Sequence, residues 1–216
     1  AIKAYLDGLP YPRFYLDFKT IGNAPVKGIC GSGIIDLTAA LVKIGVIEAS
    51  GRMRRPGEID GLAPAIASRL VELNEKAAFH IGGEVYFTQD DVRQVQLAKS
   101  AIRAAMDILM AEAGIEPRAL HRVVIAGGFG YSLRPENLEG IGLLPPGMAS
   151  KVFFAGNTCR IGCVRLLRNV SNRRFLESRM QRVEHVSIET RPDFMDLYVE
   201  SMEFPELPAF SAAAEK

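Results

Sequence analysis

The chain is 216 residues long, 48% hydrophobic and 24% charged, the composition of one or two globular domains with a substantial core. Its formal net charge of +1 provides no global field to draw in nucleic acid or a membrane, so neither is expected as a partner. No run of about 18 apolar residues occurs, and the opening AIKAYLDGLPYPRF lacks the apolar segment of a signal peptide, so a cytoplasmic location is the expectation.

In chain order, Arg13 to Thr20 reads as a strand, followed by IGNAPVKGICGSG, a loop rich in glycine and proline. A helix is predicted over Ile34 to Ile44, with Ile34, Leu37, Leu41 and Ile44 as its apolar positions. The segment from Glu48 to Pro64 is polar and turn-rich, and is expected to be exposed. AAFHI and EVYFT around Gly82 and Gly83 read as a hairpin, because two glycines suit the positive φ angles of a tight turn.

Thr88 is a candidate N-cap with Asp91 as its capping-box acid, opening a helix that runs to about Ala113 and stops at Gly114. Val92, Val95, Ile102, Met106 and Leu109 form its apolar stripe, while Gln96, Lys99, Ser100 and Arg103 share a different face at spacing i, i+3, i+4, i+7. Beyond it come a strand over Arg122 to Ala126, a glycine cluster, the PENLEGIGLLPPG segment and a strand over Lys151 to Ala155. A long helix is predicted from Asn157 to Arg182, then one more strand, a short helix and an aromatic-rich anchor. Strands separated by helices predict an α/β layer structure with a largely parallel sheet, and residues 1–216 are expected to form a single subdomain.

The stretch VVIAGGFGY, Val123 to Tyr131, joins β-branched residues to three glycines. It could be a tight structural turn, a dinucleotide loop, or a platform on which a base and ribose lie flat. The dinucleotide motif wants G-x-G-x-x-G opening a helix, whereas here the order is Gly127-Gly128-Phe129-Gly130 and Pro135 argues against an immediate long helix. Gly28, Gly31 and Gly33 also have the wrong order, and no G-x-x-x-x-G-K-[ST] phosphate loop occurs.

Together, TIGNAPVKGICGSGIIDL, FTQDDVRQVQLAKSAIRAAMDIL, VVIAGGFGYSLRPENLEGIGLLP and FAGNT resemble the C-terminal ATPase region of the reductive activators of corrinoid proteins. Those belong to the actin, Hsp70 and sugar-kinase superfamily. The resemblance implies an actin-like (ribonuclease H-like) α/β ATPase domain, one half of the two-domain nucleotide-binding fold, and a C-terminal piece of a larger protein. It implies that Gly127, Gly128, Phe129 and Gly130 form an adenosine-binding turn, bare because side chains would collide with base and ribose. The same resemblance gives Gln96, Lys99, Ser100 and Arg103 a role in holding adenine and ribose; a solvated helix face is the competing reading.

The superfamily's phosphate hairpins, each with an Asp-x-Gly element for Mg²⁺ or water, have no counterpart before TIGNAP. Leu16-Asp17-Phe18-Lys19-Thr20 has phenylalanine and lysine where glycine is needed. ATP and Mg²⁺ are therefore expected as cofactors of a full-length protein, with no catalytic residue and no metal ligand here and the isolated chain inactive. The iron–sulfur cluster of such activators belongs to a separate domain absent from this chain, and three cysteines exclude four-cysteine ligation from it alone.

Cys159 and Cys163, four apart on the predicted helix, are expected to pack rather than ligate, and Cys30 is read as structural. Arg160, Arg165, Arg168, Arg173, Arg174, Arg179 and Arg182 suit a solvated face first and an acidic protein partner second. The implied function is part of an ATP-dependent activator returning Co(II) corrinoid protein to Co(I) in methyltransferase activation, with the corrinoid protein as partner. A docking or homodimerisation module without nucleotide, and a fragment of a kinase of the superfamily, are the alternatives.

Overall fold

The computed structural model describes residues 20–128 and 130–206, the side chains of Ile21 and Tyr131 aside. The strand expected over 13–20 lies outside the described residues except for Thr20, as does Phe129. Helix α1 spans Gly31–Lys43, three residues earlier than the apolar pattern begins, because Cys30 caps it: its Sγ accepts from the Gly33 N–H at 3.4 Å. Every residue from Asp36 to Val42 is buried, so this helix runs through the interior rather than along its edge.

The segment expected to be exposed after α1 folds back on itself. Ile47 and Met53 form an isolated bridge and are only 1% and 2% exposed. The polar residues between them stay outside, where Arg52 pairs with Glu48 at 2.8 Å and Glu58 at 2.9 Å. Composition alone hides this, since one buried methionine in a polar loop leaves no periodicity.

A short helix α2 (Pro64–Ala67) leads into three antiparallel strands, β1 (Leu70–Leu73), β2 (Lys76–Gly82) and β3 (Val85–Thr88), in the order β1-β2-β3. The β2–β3 hairpin is the predicted one, with Gly83 at φ +58°. Strand β1 went unpredicted: its turn uses Asn74 and Glu75, at φ 51° and 64°, in place of glycine.

Helix α3 (Gln89–Glu112) begins on the predicted capping box, in which Thr88 accepts from the Asp91 N–H while the Asp91 carboxylate accepts from the Thr88 N–H at 2.8 Å. It ends before Gly114 at φ +63°.

Strand β4 (Val123–Ala126) pairs in parallel with β5 (Val152–Gly156), and α4 (Pro135–Gly140) lies between them in sequence, with Pro135 at its first turn. Among the described residues, parallel pairing of the kind expected from the strand–helix alternation is seen in this pair, while β1, β2 and β3 form an antiparallel sheet.

In place of one long helix the structure has α5 (Thr158–Arg168) and α6 (Val170–Met180), broken at Asn169 (φ −147°, ψ 119°), whose side chain caps the second by accepting from the Ser171 N–H at 2.8 Å. The tail contains helix α7 (Phe194–Glu200) and the predicted aromatic anchor, Phe204, but no further strand among the described residues.

The main core gathers Leu37 and Leu41 of α1, Ile47 and Met53, Phe79 and Ile81 of β2, Phe87, Val92 and Phe204. A second cluster, Leu138, Leu144 and Met148, supports Val123 and Ile125 of β4 from below. Asp36 accepts from the Asn137 side chain at 2.6 Å, fastening α1 to α4.

Candidate functional site

Strand β4 alternates: Val123 and Ile125 turn toward the second cluster, while Val124 is 57% exposed. The chain leaves the strand through Gly127 at φ +123°, a conformation closed to L side chains, and its N–H donates to the Gly156 carbonyl at 2.7 Å. Both strands of the parallel pair therefore end together on glycine.

The three glycines of the cluster have different causes. A Cβ on Gly130 would sit 3.4 Å from Ile125 Cγ2 and from the Phe154 ring, so this glycine permits close packing. At Gly127 and Gly128 a Cβ would meet nothing within 4 Å. Backbone geometry accounts for Gly127, and no neighbour among the described residues accounts for Gly128. A bare backbone facing open space, at the carboxyl end of parallel strands, stands where open α/β sheets take their ligands.

On α3 the buried face differs from the predicted apolar stripe. Val92 is fully buried, but Ile102 and Leu109 are 49% and 47% exposed, while Gln96, Lys99 and Ser100 are buried. Polar residues can occupy that face because each is bonded. Ser100 Oγ donates to the Gln96 carbonyl at 2.6 Å. The Gln96 Nε2 donates to the carbonyls of Ser50 at 3.1 Å and Met202 at 2.9 Å. The Lys99 ammonium donates to the carbonyls of Ser201 and Glu203, both at 2.6 Å, and lies 5.0 Å from the centre of the Phe204 ring.

Burial, and secondarily Arg103, push the Lys99 ammonium down to about 8, with Glu203 opposing them. Arg103 is half-buried and paired with Asp107 at 2.8 Å. It borders a cleft of about 370 Å³ between α3 and the tail.

The structure thus places the predicted site residues on different elements. Gly127, Gly128 and Gly130 stand at the end of β4, Gln96, Lys99 and Ser100 are covered by the tail, and Arg103 faces the cleft. None of the hydrogen bonds of Gln96, Lys99 or Ser100 reaches the glycine turn. The helix face is therefore not a solvated one, which corrects the competing reading.

Two residues escaped the sequence reading. Gln89 clamps the loop after α1, accepting from the Met53 N–H at 2.7 Å and donating to the Gly51 carbonyl at 2.8 Å. Gly51, at φ +86°, lets Gln96 lie directly against its backbone, where a Cβ would collide with the amide. Glycine inside ASGRM was the available signal.

Cys159 and Cys163 are exposed, against the expectation that they pack, because α5 has little laid over it. All seven arginines from Arg160 to Arg182 are exposed, Arg179 stacking on Phe175 at 4.9 Å. Among the described residues no group of three or more His, Cys, Asp or Glu could hold a metal ion, and no helix is long and apolar enough to cross a membrane.

These elements are those of an actin-like α/β domain of the ASKHA class. The family described as "C-terminal domain of RACo the ASKHA domain" matches residues 11–212, and the chain belongs to it. It is 31% identical over 193 residues to the protein named "Corrinoid activation enzyme RamQ" of Eubacterium limosum, covering 85% of this chain and 32% of that one. It is similar in structure to a protein titled "Reductive activator for corrinoid,iron-sulfur protein", with a TM-score of 0.75 and 28% identity over 88% of this chain and 30% of the other. The chain spans about a third of the length of these two relatives.

Proposed function

We propose that this domain is the adenosine-binding part of an ATP-dependent activator that returns Co(II) corrinoid protein to Co(I). The observation that carries the reading is Gly128: among the described residues no packing asks for glycine there, and a Cβ would meet nothing within 4 Å. A flat base and ribose need such a surface. Gly127, Gly128, Phe129 and Gly130 would lie against adenosine, the Gly127 N–H staying on the Gly156 carbonyl. Arg103 is the helix residue that already borders open space. Gln96, Lys99 and Ser100 enter this reading only with their donors released from their present partners.

ATP fits the glycine turn; Mg²⁺ does not fit the residues here, which offer no Asp-x-Gly carboxylate near the turn. Phosphate and metal binding, and with them hydrolysis, are assigned to sequence outside this domain, and the domain's share is to bind and orient the base and ribose. A corrinoid protein as the partner is supported by the names of the two relatives.

Calorimetric titration with ATP and Mg²⁺ tests the reading in a chimera that joins this chain behind the preceding part of the Eubacterium limosum relative. The expected result is binding that Gly128→Val weakens by at least about tenfold, equivalent to ~1.4 kcal/mol. Equal affinity in the two proteins would remove the glycine turn from nucleotide binding and leave the docking-module alternative in front.

A further inference from the structure

The segment after α7 is held to the rest of the domain by an unusually regular set of bonds. Three consecutive carbonyls, those of Ser201, Met202 and Glu203, accept from two side chains one turn apart on α3: Lys99 takes the first and third, and Gln96 takes the second. Carbonyls at and beyond a helix end have no partner in the helix and gather partial negative charge, which a buried ammonium answers. Immediately after them, the Phe204 N–H donates to the Ala49 carbonyl at 2.8 Å, and the Phe204 ring is 2% exposed in the main core. Pro205 then lies so close to Gly142 that a Cβ there would be 3.2 Å from its Cδ.

We propose that Gln96 and Lys99 are positioning residues that latch the C-terminal segment Ser201–Pro205 onto α3, and that the latched segment builds one wall of the cleft in front of Arg103. The cleft has Arg103, Asp107 and Gly142 on one side and Glu200, Glu203 and Pro205 on the other. Glu200 is carried by α7, whereas Glu203 and Pro205 line the cleft only while the segment is seated. Ser50 belongs to the same device, because Gln96 donates to its carbonyl as well as to that of Met202, so one amide spans the loop after α1 and the tail. This role stands apart from nucleotide binding and makes no use of it.

Amide hydrogen exchange on the 216-residue chain tests the latch through the Phe204 and Met202 N–H groups, bonded to Ala49 and Val199. Lys99→Met and Gln96→Leu keep most of the bulk of each side chain and remove its donors. The expected result is a loss of protection of about tenfold or more at Phe204 and Met202, with the amides of β2 unchanged, the signature of local rather than global opening. In a Phe204→Ala background, where the segment is already loosened, Lys99→Met should alter Met202 exchange by less than about twofold, the non-additivity expected of coupled residues.

Wild-type protection at Phe204 in both variants would overturn the latch. So would a uniform loss across the whole chain in the milder Gln96→Leu variant. An adenosine titration followed on the same samples separates this inference from the nucleotide reading: absence of binding leaves the exchange pattern as the sole judge of the latch. A loss of adenosine affinity in Lys99→Met with Phe204 protection intact would assign Lys99 to the ligand and overturn it.

Discussion

The two sheets of the domain meet water very differently. Around the antiparallel β1-β2-β3 sheet, Leu37, Phe79, Ile81, Phe87 and Val92 are at most 1% exposed, enclosed by α1, α3 and the tail. Around the parallel β4–β5 pair, one face rests on Leu138, Leu144 and Met148, while on the other Val124 and Phe153 are 57% and 51% exposed. Leu167, Val170 and Phe175 in α5 and α6 are 76%, 61% and 60% exposed. Parallel strands ordinarily have both faces covered. Stability is thus concentrated in the antiparallel half, and the glycine turn is carried by the half with less of it, the end of the stability range from which binding segments are drawn.

The sharpest way to break this comparison is a matched pair of truncations. Phe79→Ala should cost about 3–5 kcal/mol in urea unfolding, whereas Phe153→Ala should stay within about 0.5 kcal/mol of wild type. Equal costs would mean that the β4–β5 face is as well packed in solution as the other. Gly51→Ala comes next: a positive φ and a collision with Gln96 should together cost at least about 2 kcal/mol, read from the same unfolding curves. A smaller loss would show that the loop after α1 yields freely.

Thr88→Ala removes one half of the capping box and should cost about 1 kcal/mol. The change should appear as fraying of the first turn of α3 in amide exchange. A further effect concerns pH. The Lys99 ammonium is held at about 8 in the folded chain against 10.5 ordinarily, chiefly by burial. Between those values the unfolded chain binds more protons, so stability should rise with pH across the window. The two carbonyl bonds favour the ammonium and make the slope shallow. Unfolding midpoints of wild type and Lys99→Met compared from pH 8 to 10.5 should show that slope in the wild type alone.

Much of the domain could be read from its residues. The capping box at Thr88, the hairpin at Gly82 and Gly83, the stop at Gly114 and the strand running into Gly127 all stand where local chemistry put them, because each rests on neighbours in sequence. The failures have tertiary causes. The buried face of α3 could not be found from hydrophobic periodicity, since its burial depends on carbonyls about a hundred residues away in the tail. The break at Asn169 was hidden by the arginine-rich run that continues past it, although Val170, Ser171 and Asn172 are weak helix formers and asparagine is a natural N-cap. Exposure of Cys159 and Cys163 follows from what does not lie over α5, which no local pattern encodes. Of the candidate site, the residues themselves came from spacing and resemblance, while their division into a turn at β4 and a polar face under the tail needed the fold.

Asn169 has a mechanical consequence. Continuous helix from Thr158 to Met180 would be a rod about 35 Å long at 1.5 Å per residue. One residue with extended backbone converts it into a jointed arm: its backbone ends one segment and its side chain starts the next. The direction of α6 is therefore set at this joint. Two further ties cross the joint, from the Asn172 side chain to the Arg165 carbonyl at 3.0 Å and from the Arg173 guanidinium to the Leu166 carbonyl at 2.9 Å. Both run from the second segment to the end of the first, so they act as stays on an elbow, fixing the angle at which Arg173, Arg174 and Arg179 are carried relative to the arginines of α5.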